Sequence, residues 1–63
     1  MGGYDALVSA AEDAERDGRW RRAFGFWNEA ISQYGYSVSP QLLELWEYHR
    51  DMCDRKMLEF HDE

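Results

Sequence analysis

The stretch GRWRRAFGFWNEA, residues 18–30, decides the fold. Trp20, Ala23, Phe24, Trp27 and Ala30 recur three or four positions apart, so a helix of 3.6 residues per turn gathers them on one face. Ile31 and Tyr34 extend that arc. Arg21, Arg22, Gly25, Asn28, Glu29, Ser32 and Gln33 fall opposite, and Phe26 sits on the flank nearer the apolar side. The spacing predicts a helix over about 19–34, ended by Gly35. The same stretch raises a question of chemistry. Arg16, Arg19, Arg21 and Arg22 put four cations within seven residues, around a tryptophan that could stack on a base or face the core.

Upstream, ALVSAAEDAERD carries Leu7, Ala11 and Ala14 at helical spacing, flanked by Val8 and Ala10. A helix over about 5–17 is predicted, with Asp5 as N-cap and Gly18 as the residue that turns left-handed after it. Downstream, GYSVSP reads as a linker. Ser39 caps a third helix, Pro40 suits its first position, and Val38 is placed to staple onto Leu43. That helix runs over about 40–60, with Leu42, Leu45, Trp46, His49, Cys53, Met57 and Phe60 on one face and Met52 at its edge. Its last two turns are expected to overhang a compact unit and expose Met57, Leu58 and Phe60 as a dimer contact. The fold expected is all-α: one domain of three helices, a helical hairpin plus a longer third helix. Trp20, Ala23, Trp27, Ala30 and Trp46 form its core, with the second helix between the other two.

Composition bounds the rest. A chain of 63 residues with one cysteine has no internal disulfide, and so short a domain leans on its aromatic core and on self-association. Seven basic and thirteen acidic residues give a net charge of −6, a field that repels phosphate. No apolar run approaches the length of a membrane span and no signal peptide is apparent, so a cytoplasmic protein is expected.

The segment AERDGRWRRAFGFWNEAI resembles one tetratricopeptide (TPR) hairpin: Gly18, Trp20, Ala23, Trp27 and Ala30 stand where that repeat has its turn and packing residues. A solenoid needs several stacked repeats, so the likeness is to a single hairpin and not to the array. A broader resemblance, over roughly Ser9 to Lys56, is to the ANR and PerC families of small bacterial regulators. Ala10, Ala11, Ala14, Glu15, Arg16, Gly18, Trp20, Ala23, Trp27 and Ala30 carry it, followed by Trp46, Arg50 and Cys53; the connection SQYGYSVSPQLLE is longer than in those families. The resemblance implies a transcription modulator that contacts another regulator. ANR-like proteins restrain AraC-type activators, PerC-like proteins favour activation, and both are linked to nucleoid proteins.

Two surfaces compete as the partner site. Gly18 to Tyr34 carries +2 while the flanking segments carry −4 each, so Arg19, Arg21 and Arg22, with Phe26 and Tyr36, form a basic patch for an acidic protein surface. Direct nucleic-acid binding is disfavoured, because the whole-chain charge of −6 repels phosphate. The plainer account is that Trp20 is core and the arginines pair with Glu12, Asp13, Asp17 or the third helix. Glu44, Glu47, Asp51 and Asp54 align on one face of that helix, where they either dock a basic partner or form a solvated face eased by Arg50 and Arg55. Small size and acidity also fit a phage-encoded inhibitor that occupies a nucleic-acid-binding site, of the anti-CRISPR or polymerase-inhibitor kind. His49 and Cys53 stand four apart, as two metal ligands would, but read as a packed imidazole and a buried thiol. No metal or cofactor is expected, and no orienting third group or phosphate loop supports an enzyme.

Overall fold

In the computed structural model, which describes residues 3–60, the chain forms three helices and no strand among those residues: α1 (Gly3–Arg16), α2 (Trp20–Tyr34) and α3 (Pro40–Phe60). α2 packs against both α1 and α3. Alanine makes this possible. Ala11, Ala14, Ala23 and Ala30 are buried, and side chains this small let helix axes approach closely. Trp27 and Trp46, each 1% exposed, fill the space the alanines leave.

The first turn follows from one residue. Gly18 has φ 76°, its amide donates to the Glu15 carbonyl at 3.0 Å, and the Arg19 amide reaches back to the Ala14 carbonyl at 2.8 Å. These two bonds form a Schellman motif, which satisfies carbonyls that the end of α1 would leave open. Nothing crowds a Cβ at position 18, so Gly18→Ala tests backbone handedness alone. It is expected to destabilise by about 1 kcal/mol, read as a lower midpoint in urea unfolding.

Several expectations are corrected. α1 starts at Gly3, so Asp5 is not its N-cap; it lies in the first turn, where a carboxylate still complements the helix dipole. The earlier start brings in Tyr4, whose ring meets Trp46 edge-on at 5.2 Å and Tyr34 at 6.0 Å. α2 begins one residue later than expected, after Arg19, which makes no side-chain cap. Gly35 does not repeat Gly18: its φ of −59° and ψ of −28° are ordinary right-handed values. Crowding holds this position instead, since a Cβ here would lie 2.5 Å from the Ile31 carbonyl oxygen and 3.4 Å from Leu43 Cδ1.

α3 has a narrower buried strip than its pattern suggested. Trp46 and Cys53 are buried, but Leu45 is 50% exposed, because it sits about 100° around the helix from Trp46 and beyond the reach of α2. Ser39 does cap α3, its Oγ accepting the Leu42 amide at 3.2 Å. Towards the end of α3, Lys56 Nζ stands 5.8 Å over the Trp20 ring, Met57 is half-buried, and residues 58–60 are exposed. Trp20 itself is half-buried, packed at the margin of the core.

Candidate functional site

Three helices converge on one carboxylate oxygen. Glu15 Oε2 accepts from Trp27 Nε1 at 2.8 Å, stands 2.9 Å from His49 Nδ1 and accepts from Cys53 Sγ at 3.5 Å. The contact is a hydrogen bond to the carboxylate when the His49 ring carries a proton on Nδ1. The His49 ring also stacks on Trp27, with centroids 4.8 Å apart and planes at 24°. Glu15 is 15% exposed and His49 25%, so the cluster lies at the edge of the core, under partial cover.

Spacing within α3 pointed to His49 and Cys53 but not to Glu15. The signal was nonetheless present. Glu15 follows Ala11 by four residues and Val8 by seven, on the inward arc of α1, where a carboxylate needs a polar partner. The group acts as a clasp joining the three helices.

Its chemistry is that of a protected thiol. Cys53 is buried, and its pKa is pushed up to about 12, first by loss of water and then by the charge and hydrogen bond of Glu15. A thiol held as S–H is a poor nucleophile. Among the described residues no group of three or more His, Cys, Asp or Glu side chains is placed to hold a metal ion. The raised pKa also sets a pH dependence. From the ordinary 9.0 up to about 12 the unfolded chain gives up the thiol proton while the folded chain keeps it, so stability falls as pH rises through this window. Urea midpoints measured from pH 9 upward should therefore fall more steeply in the wild type than in Cys53→Ser. Parallel declines would count against this assignment.

The expected surface residues lie elsewhere. All seven residues of the polar side of α2 are exposed, Arg21 and Arg22 among them, and Arg19 precedes them at the surface. Of the four cations in the cluster, Arg16 pairs with Asp13 at 2.9 Å. Neither Arg21 nor Arg22 forms an ion pair among the described residues. Phe26 is half-buried and packed on the core, whereas Tyr36, 99% exposed, stands free in the turn after α2. On α3, Glu44, Asp51 and Asp54 are exposed and Glu47 is half-buried. Arg50 turns to its neighbour Asp51 at 3.2 Å. At the end of α3, Leu58 is 70% and Phe60 58% exposed, while Met57 is half-buried.

No family model, curated protein or solved structure matches this chain. No helix among the described residues is long and apolar enough to cross a membrane.

Proposed function

We propose that this chain is a small transcription-modulating protein of the ANR and PerC kind, acting inside a bacterial cell by contact with another regulator. The observation that carries the reading is the outer side of α2. Arg21 and Arg22 project there from a helix whose opposite side is locked by Ala23, Trp27 and Ala30, and no acidic neighbour among the described residues neutralises them. The side chains are thus presented in fixed register and remain available to an acidic surface. The interior is committed to packing, which leaves the displayed faces as the place for activity.

Association of two copies through Leu58 and Phe60, with Met57 at the edge, accompanies this reading. Covering exposed apolar side chains would add burial that so short a chain lacks. Light scattering at high micromolar concentration should give a dimer mass, and Leu58→Asp a monomer mass.

The partner is tested by affinity capture from host lysate with wild type and an Arg21→Glu/Arg22→Glu double variant. Recovery of an AraC-type activator or nucleoid protein by the wild type alone supports the reading. Recovery of a nuclease or polymerase subunit, lost on changing Glu44, Glu47 and Asp51 to lysine, overturns it in favour of an acidic inhibitor.

A further inference from the structure

A cleft of about 320 Å³ opens where α2 ends and α3 begins, lined by Ile31, Ser32, Gly35, Tyr36, Leu43 and Glu47. Gly35 forms part of its wall, where a Cβ would reach the Ile31 carbonyl oxygen and Leu43. Ile31 and Leu43 supply aliphatic walls, and the exposed ring of Tyr36 stands at its border.

Three features make this cleft attractive to a cation. Glu47 lines it and has neither an ion pair nor a hydrogen bond among the described residues. Glu44, at i−3 from Glu47, lies on the same side of α3 and deepens the negative potential, whereas Asp51 is already paired with Arg50. The last turn of α2, which borders the cleft, has no basic residue to compete for Glu47. The turn returns amides only to the Ile31 and Tyr34 carbonyls, so those of Ser32 and Gln33 receive no backbone donor among the described residues.

We propose that this cleft receives an arginine or lysine side chain from a basic segment of a partner protein. The stem of such a side chain is apolar and its tip charged. The stem lies along Ile31 and Leu43, the head group meets the Glu47 carboxylate, and the Tyr36 ring offers a face to the cation. Pocket and ligand are thus matched in both polarity and charge. The inference rests on the reading of the chain as a partner-binding protein but on no particular partner, and it uses a different surface from Arg21 and Arg22.

The test uses the whole chain, labelled with ¹⁵N, titrated at low ionic strength with a short peptide carrying one arginine between leucines. A counterpart with glutamate for arginine serves as the control. Amide shifts should concentrate at Ile31, Ser32, Gly35, Tyr36, Leu43 and Glu47. Glu47→Lys should weaken binding by about tenfold. Glu12→Lys, the same change in net charge on exposed α1, should leave it nearly unchanged. Tyr36→Ala, which removes a ring that supports no packing, should weaken binding by a factor of about three. Shifts spread over the acidic surface, equal losses in Glu47→Lys and Glu12→Lys, or equal binding of the two peptides would overturn the proposal. Failure here, with an AraC-type protein still captured through Arg21 and Arg22, removes the cleft and leaves the regulator reading standing; peptide binding without such capture does the reverse.

Discussion

Trp27→Ala is expected to leave the chain unfolded at room temperature. The Trp27 side chain is 1% exposed and lies where α1, α2 and α3 meet, stacked on His49 and bonded to Glu15. Truncating a buried tryptophan costs about 3–5 kcal/mol. A domain of this length has a total stability of roughly 3–9 kcal/mol. The loss is therefore comparable to the whole. Far-UV circular dichroism should show most of the helical signal gone, or a melting transition moved far down. A variant that melts within a few degrees of the wild type would mean that the alanine seam, and not the indole, holds the helices. Trp27→Phe separates the two contributions of this side chain. It keeps most of the ring volume but removes the Nε1 donor, and should be destabilised by about 1–2 kcal/mol.

Glu15→Leu carries the second-largest expected effect, a loss of about 2–3 kcal/mol. Leucine leaves Trp27 Nε1 and His49 Nδ1 without their acceptor, and a buried donor stripped of its partner loses its full desolvation energy. Glu15→Gln retains a carbonyl oxygen that can accept, and should lose less than half as much. The same pair of variants reads out on the thiol. Burial is the largest cause of the Cys53 shift and Glu15 supplies the rest. In Glu15→Gln the thiol pKa should move down from about 12 yet remain above 9.0, followed by the pH dependence of maleimide labelling. An unchanged labelling profile in Glu15→Gln would show that the carboxylate has no influence on the thiol.

The helices and their faces were readable from periodicity because α2 faces water on one side and packed helices on the other. Every residue placed on its polar side, Arg21 through Gln33, is exposed, and Ala23, Trp27 and Ala30 are buried. What escaped were features set by tertiary neighbours. Gly35 looked like a second Gly18, but glycine meets two different demands, and sequence does not distinguish a left-handed turn from a crowded one. Leu45 shared the apolar arc of α3, yet the width of a buried strip depends on how many helices cover it. Tyr4 stood before the apparent start of α1. The clasp at Glu15 required knowing that the end of α1 approaches His49 and Cys53, 34 and 38 residues away. The residues proposed to bind a partner depend on a molecule outside the chain, so periodicity could place them at the surface and no further.

The hairpin turn and the clasp differ in the length of chain they must close, and so in when they can form. α1 with α2 and α2 with α3 are neighbours along the chain, an arrangement that favours rapid folding. The bonds from Glu15 to His49 and Cys53 instead require the whole three-helix unit to be docked first. Interactions absent from the transition state govern unfolding and not folding. Stopped-flow measurements on Glu15→Gln should therefore show an accelerated unfolding limb and an almost unchanged refolding limb. The clasp then acts as a kinetic latch, setting how long each molecule stays closed more than how quickly it closes.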